Sequence, residues 1–288
     1  MNIKEFVDEI IRAFKKVGIE CAEAEAKQLA CHVLSCDTAY LFAHADEEVD
    51  DKVLLASAAL INERCKGRPL QYVIGTASFC GIDLAVDERV LIPRPETEQL
   101  VETAVRELKE RPFPRVLDLC TGSGAIAAAV AGAVPGAKIT ATELSPKAFM
   151  LARVNLRPYK NVNVLRGDLF QALDVPDAAF GNGMNVPFDA VLTNPPYIPS
   201  AAIEGLALEV KDHEPRMALD GGADGLDIIK RIIAEAPAHL KPNGFLLMEI
   251  GDDQADAVMD LVLQSGAYRG ARVLKDLAQK DRMLLANM

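Results

Sequence analysis

The chain has no tryptophan and only four histidines, at positions 32, 44, 213 and 239. Its six cysteines, at 21, 31, 36, 65, 80 and 120, include no CxxC pair and lie beside no histidine cluster. No metal site is expected from these spacings, and a chain this long and core-rich does not need a disulfide scaffold. Positive charge is also scarce. There are 31 Lys and Arg against 42 Asp and Glu, a formal net charge of −11. The first 85 residues carry 9 basic and 14 acidic side chains and the remainder 22 and 28. Phosphate backbones are held chiefly by Lys and Arg, so nucleic acid and anionic membrane surfaces are disfavoured as main partners. Long apolar runs are missing too. The first sixteen residues, MNIKEFVDEIIRAFKK, have charges throughout and no apolar stretch of the signal-peptide kind. The most apolar long window, 116–134, contains Asp118 and the run Thr121-Gly122-Ser123-Gly124, which suits a buried strand, loop and helix better than a membrane span. A cytoplasmic protein with free thiols is expected. Internal repeats and low-complexity tracts are absent from the sequence.

What is present is an ordinary globular balance, 50% hydrophobic and 25% charged over 288 residues, with two domains the expected division. Residues 1–66 read as helices. Ile3, Phe6, Val7, Ile10, Ile11, Phe14 and Val17 recur at three- and four-residue steps up to Gly18, and further helical stretches cover about 22–34 and 51–64. Residues 67–95 change character, with a predicted hairpin of 76–79 against 82–85 forming a connector. Residues 96–288 alternate. Strands are predicted at 116–119, 138–143, 163–166, 188–193, 244–250, 271–274 and 282–286, with helices near 98–109, 146–156, 225–239 and 254–264. Strand-helix alternation specifies an α/β fold with a largely parallel sheet covered on both faces. The last two strands are joined by 275–281, too short for a crossover helix, so one of them must run antiparallel.

The first of these strands ends at Asp118-Leu119-Cys120-Thr121-Gly122-Ser123-Gly124 and opens directly into the helix AIAAAVAGAV. Glycines at 122 and 124 let a ligand approach the backbone, and the helix N-terminus offers unpaired N–H groups. The dinucleotide pattern G-x-G-x-x-G is not met, since position 127 is Ala. The next strand ends at Glu143, placed to accept hydrogen bonds from ribose hydroxyls, and the third at Gly167-Asp168-Leu169-Phe170, where a carboxylate and apolar side chains could grip an adenine. A lone glycine loop is often just a tight turn. Three such groups at the edge where open sheets bind ligands point to an adenosine-type cofactor, and the absent pyrophosphate cradle favours S-adenosyl-L-methionine.

The fourth strand ends at Asn194-Pro195-Pro196-Tyr197. Prolines fix φ and cannot continue a helix, so the segment is a stiff extended hook. A planar amide or amino nitrogen can donate to the Asn194 oxygen and a prolyl carbonyl while the Tyr197 ring stacks on its plane. The nitrogen lone pair can then be turned towards a methyl sulfonium.

This tetrad, with the loop after the first strand, resembles the amino methyltransferases that modify exocyclic or amide nitrogens. Further stretches narrow the likeness: LIPRPETE from Leu91, HEPRMAL from His213, GGADGLD from Gly221 and MEIG from Met248. Together with a helical N-terminal region they resemble the peptide chain release factor glutamine methyltransferases over nearly the whole chain. The resemblance implies a Rossmann-like methyltransferase domain of seven mostly parallel strands behind a small helical domain that helps to hold the substrate. It implies transfer of a methyl group from S-adenosyl-L-methionine, with S-adenosyl-L-homocysteine as product and no metal. The acceptor would be the side-chain amide of the glutamine in the Gly-Gly-Gln motif of release factors. Carried over, Cys120, Thr121, Gly122, Ser123 and Gly124 would contact the methionine part, Glu143 the ribose, and Asp168 with Leu169 the adenine. Asn194 would touch cofactor and substrate, and Pro195, Pro196 and Tyr197 would complete the glutamine pocket, with Asn194, Pro195 and Tyr197 carrying the catalysis. Three positions depart from the family pattern. Residue 120 is often Gly, residue 143 often Asp, and residue 169 sometimes Trp.

Other readings compete. A glutamine methyltransferase of a ribosomal protein would share tetrad and fold; an adenine-N6 nucleic-acid methyltransferase would share the tetrad but not this acidity; a cofactor-binding regulator would not need the nitrogen hook. His213 is expected on a loop closing over the site, Glu96 and Glu98 either at the cofactor entrance or at a solvated helix start, and the run Asp46–Asp51 in a solvated loop with a helix cap.

Overall fold

A computed structural model describes residues 1–174 and 186–288. By its internal contacts the chain forms two compact units. One is Met1–Thr76 with Ala207–His213, and the other is Ala77–Leu206 with Glu214–Met288.

The first unit is helical: α1 (Ile3–Lys16), α2 (Ala22–Leu34), α3 (Thr38–Ala43), α4 (Asp51–Cys65) and α5 (Leu70–Ile74), joined by a short helix from the later segment, Leu208–Lys211. α1 starts in a capping box. The Asn2 side chain accepts from the Glu5 N–H at 2.8 Å and Glu5 accepts from the Asn2 N–H at 3.0 Å. Its apolar stripe, Ile3, Phe6, Ile10 and Phe14, is buried against Ala26, Leu29 and Ala30 of α2. Asp50, from the acidic run, caps α4 by accepting from the Lys52 N–H. The guanidinium of Arg64, 1% exposed, donates to Glu25 (2.5 and 3.0 Å) and to Glu209 (2.6 Å). α3 adds a short helix within the stretch read as helical, and α5 is a correction to the sequence reading. Residues 67–75, expected to be β-rich, include the helical turn α5, and the stretch expected as a connector divides between the two units at Thr76.

The hairpin of β1 (Thr76–Phe79) and β2 (Ile82–Ala85), as read from the sequence, opens the second unit from Ala77 on. Then follow α6 (Pro95–Leu108), β3 (Arg115–Leu119), α7 (Ala125–Ala133), β4 (Lys138–Glu143), α8 (Pro146–Leu156), β5 (Val162–Arg166) and β6 (Phe188–Thr193). The segment Leu208–Lys211 is α9, and α10 (Asp227–His239), β7 (Leu240–Glu249), α11 (Ala255–Ser265), β8 (Gly270–Lys275) and β9 (Asp281–Asn287) complete the chain. The seven strands lie in the order β5-β4-β3-β6-β7-β9-β8. The first five run parallel, and β9 pairs antiparallel with both β7 and β8. β3, β4 and β6 are buried almost throughout, because helices cover both faces. One core lies under α6 and α7, with Leu100, Leu108, Val116 and Phe245; the other lies under α10 and α11, with Leu117, Ile232, Leu246 and Val258. The chain order reverses on the two sides of β3, the place where an open sheet leaves a crevice.

Candidate active site

The register places the reactive edge. Leu119 is level with Thr142 on β4 and with Thr193 on β6, and Thr193 is level with Met248 on β7. Cys120, Glu143, Asn194 and Glu249 therefore each stand one residue past the same row. Glu143 is itself level with Arg166, so Gly167 and Asp168 extend the edge on β5.

The loop after β3 turns through left-handed backbone at Cys120 (φ 56°), Gly122 (φ 56°) and Gly124 (φ 87°). A Cβ at Gly124 would lie 2.9 Å from the Leu156 side chain, so that position excludes larger residues. Cys120 adopts the same kind of backbone with its Cβ present, which costs about 1–2 kcal/mol. This is the physical content of a glycine preference at that position. Burial together with the nearby Glu143 and Asp118 charges raises the Cys120 thiol pKa, so it stays protonated. Beneath the loop, buried Asp118 accepts from Thr121 Oγ1 at 2.5 Å, and desolvation pushes its carboxyl up to about 7.

Glu143, 9% exposed, accepts from the Gly122 N–H (2.9 Å) and the Ser145 N–H (2.8 Å). Burial raises its pKa, and these backbone donors oppose the shift. Each oxygen keeps a lone pair for a further donor. Asp168 is engaged by Arg231 of α10 through two parallel hydrogen bonds, 3.2 and 2.8 Å. That partner stands 63 residues away along the chain and leaves no local pattern. Leu169 follows at φ 45° and is buried.

At the end of β6, Asn194 Nδ2 donates to Thr97 Oγ1 (3.0 Å) and Thr97 Oγ1 donates to Glu249 Oε2 (2.6 Å). The Tyr197 hydroxyl donates to the other oxygen, Glu249 Oε1, at 3.1 Å. Gln254 Nε2 donates to the Tyr197 carbonyl at 2.9 Å and to the Gly225 carbonyl, fixing the backbone that follows the two prolines.

These strand ends border a cavity of about 420 Å³ within the second unit. Cys120, Thr121, Gly122 and Ser123 line it, as do Glu143, Asp168, Leu169, Asn194 and Pro196; Gly124, Pro195 and Tyr197 do not. Thr97 and Thr142 also line it, and further walls come from the 88–94 stretch, from 144–148 and from Pro215 to Ala218. Arg94 joins the first of these stretches to the last by donating to buried Glu214 at 2.6 Å. The part of that last stretch at the cavity starts after His213. His213 itself does not line the cavity and groups with the helical unit. Glu98 is not merely a solvated helix start, because it accepts from the Cys80 N–H of the hairpin turn at 2.6 Å. A second hollow, about 570 Å³, belongs to the helical unit and holds none of the strand-end residues.

Two family models match: the PrmC N-terminal domain over residues 5–75 and the methyltransferase small domain over 97–209. A release factor glutamine methyltransferase of Moorella thermoacetica is 38% identical over 99% of this chain and 98% of its own. Another, from Geobacter sulfurreducens, is 39% identical over 86% of this chain and 84% of its own. The chain belongs to the release factor glutamine methyltransferase family. Among solved structures, the catalytic domain of hMettl16 in complex with MAT2A 3′UTR hairpin 6 superposes with a TM-score of 0.54. It covers 83% of this chain and 82% of its own at 16% identity, a likeness of fold alone.

Thr97 and Glu249 lie in stretches that carry the family resemblance, yet their part in the site is not visible from sequence. The reason is distance along the chain: the Thr97–Glu249 hydrogen bond joins positions 152 residues apart. Among the described residues no group of three or more His, Cys, Asp or Glu could hold a metal ion, and no helix is long and apolar enough to cross a membrane.

Proposed function

We propose that this methyltransferase transfers a methyl group from S-adenosyl-L-methionine to the side-chain amide nitrogen of the glutamine in the Gly-Gly-Gln motif of peptide chain release factors, in the cytoplasm. The observation that carries the reading is the anchoring of Asn194 at the cavity wall through its nitrogen, which leaves its amide oxygen as an acceptor beside a rigid Pro-Pro-Tyr. A primary amide needs an acceptor of that kind to be held and turned.

The cavity suits the cofactor in size, since small-molecule sites run from about 300 to 1,000 Å³. Its chemistry suits it as well. Thr142 Oγ1, buried at the wall, has no hydrogen-bond partner among the described residues. Glu143 retains acceptor capacity for a diol, and the 120–124 loop presents backbone at close range. When bound, S-adenosyl-L-methionine supplies an electrophilic methyl group on a positively charged sulfonium.

The chain's own residues do the positioning. Asn194 Oδ1, at the cavity wall, accepts one amide N–H bond; beside it, outside the cavity lining, the Pro195 carbonyl accepts the other and the Tyr197 ring stacks on the amide plane. Holding nitrogen and methyl donor in line can supply roughly 7–11 kcal/mol of the barrier. No strong base is required, because an N-methylated amide that still carries its extra proton is strongly acidic and gives that proton to water. Residues 1–66, with the 67–95 region, hold the release factor, and residues 96–288 carry the chemistry.

The experiment is transfer of labelled methyl to purified release factor. It runs beside a Gln→Ala variant of the factor's tripeptide, a ribosomal protein and adenine-containing DNA. Label on the unaltered factor alone is expected. Label on ribosomal protein or DNA in its place overturns the substrate.

A further inference from the structure

We infer that Glu249, acting through Thr97, is a positioning residue that fixes which end of the Asn194 carboxamide faces the substrate. The inference deepens the proposed reaction and rests on it.

The argument is one of proton direction. A carboxylate only accepts hydrogen bonds, and a hydroxyl has one proton to give. Glu249 is 1% exposed and receives two hydroxyl donors, Thr97 Oγ1 on one oxygen and the Tyr197 phenol on the other. Thr97 thereby spends its one proton on Glu249. Towards Asn194 its oxygen can only accept, so it must meet the Asn194 nitrogen, as it does at 3.0 Å. The amide oxygen is left for the cavity. The reversed amide would set its oxygen against a Thr97 lone pair and offer N–H donors to a substrate amide that itself needs an acceptor. A site that selects an N–H donor is spoiled by that reversal alone, because two donors would then meet.

Other features support the direction of the chain. Burial and the neighbouring Glu249 charge keep the Tyr197 phenol protonated, so it acts as donor. Burial raises the Glu249 pKa, and the Thr97 and Tyr197 donors, with the positive charge of Arg282 on β9 (itself held by Asp276), oppose that rise. The same carboxylate holds both ends of the Asn194–Tyr197 hook, one through a single intervening hydroxyl and the other directly. Glu249 touches neither substrate nor cofactor in this assignment.

Thr97→Val removes the hydroxyl at nearly constant volume, and Thr97→Ser keeps it. With release factor as acceptor, Thr97→Val is expected to lower kcat at least 30-fold while KM for S-adenosyl-L-methionine stays within threefold. Thr97→Ser is expected to keep at least a third of wild-type kcat. The side-chain ¹⁵N amide signal of Asn194, assigned by its loss in Asn194→Ala, is expected to shift and exchange faster with water in Thr97→Val but not in Thr97→Ser. If Thr97→Val does not fold, Thr97→Ala is read in its place. The inference is overturned if the valine variant keeps wild-type kcat, if serine falls as far as valine, or if the Asn194 signal is the same in all three. A wild-type enzyme that transfers nothing to release factor would instead overturn the proposed function, and the Asn194 signal would still decide the inference.

Discussion

The backbone N–H of Gly122 donates to Glu143 Oε2 over 2.9 Å, so the turn after β3 is braced by the residue that ends β4. A side chain proposed to take the ribose also holds the loop proposed to take the methionine part. Glu143→Ala should therefore weaken S-adenosyl-L-homocysteine at least tenfold and cost about 1–3 kcal/mol of stability, the scale for leaving a donor unpaired. Glu143→Gln, which keeps one acceptor oxygen, should do less of both. Calorimetric titration and denaturant unfolding of the two variants measure these effects.

Asn194→Ala removes the amide acceptor while leaving the cavity's other walls in place. Its kcat should fall about 10²–10³-fold, the scale for losing one preorganised hydrogen-bonding group, with S-adenosyl-L-homocysteine affinity falling by a smaller factor because Asn194 also lines the cofactor cavity. Labelled-methyl transfer and binding, run on the same preparation, separate the two. A folded variant with full transfer rate would contradict the assignment.

Asp118 gives a pH signature. Its carboxyl is raised from 3.8 to about 7 by burial, so between those values the native state binds more protons than the unfolded chain. Stability from this group is present at low pH and is lost as pH rises from about 4 to 7. Asp118→Asn cannot titrate. The stability of the wild type relative to this variant should decline from pH 5 to pH 7.5, as measured by urea unfolding. A constant difference would show that Asp118 is ionised throughout.

Asn155 on α8 makes three hydrogen bonds at once. It accepts from the Ala85 N–H and donates to the carbonyls of Ala85 on the hairpin and Ser123 on the glycine loop. Asn155→Ala should cost about 2–4 kcal/mol from the lost bonds and the groups left unpaired. Because it frees the loop, it should also weaken S-adenosyl-L-homocysteine, whereas a variant of an exposed α8 residue such as Arg153→Ala should not. Thermal melting with and without S-adenosyl-L-homocysteine measures both.

The parallel sheet was legible because buried strands read as short apolar runs between helical stretches, and the antiparallel strand because 275–281 is too short to cross over. The hairpin bounds agree with those of β1 and β2. α3 and α5 escaped notice because six and five residues are too few to show a helical period. The start of β7 at Leu240 was hidden for another reason: Lys241, Pro242 and Asn243 look like a turn, and only pairing with Phe188 extends the strand to them. In the site, strand-end residues could be named because each follows a recognisable strand. Arg231 on Asp168, and Thr97 and Glu249 behind Asn194, arise from helices and strands brought together in space, which leaves no local pattern.

Arg64 bonds to Glu25 and Glu209, carboxylates 184 residues apart in sequence, inside one helical unit. That unit is therefore not finished when its first 76 residues have left the ribosome. Its buried guanidinium waits for Glu209, by which point β3 to β6 have also been made. The helical unit gains its last charged partner only after those four strands have been made. A piece cut after residue 76 would carry a buried guanidinium without its Glu209 partner.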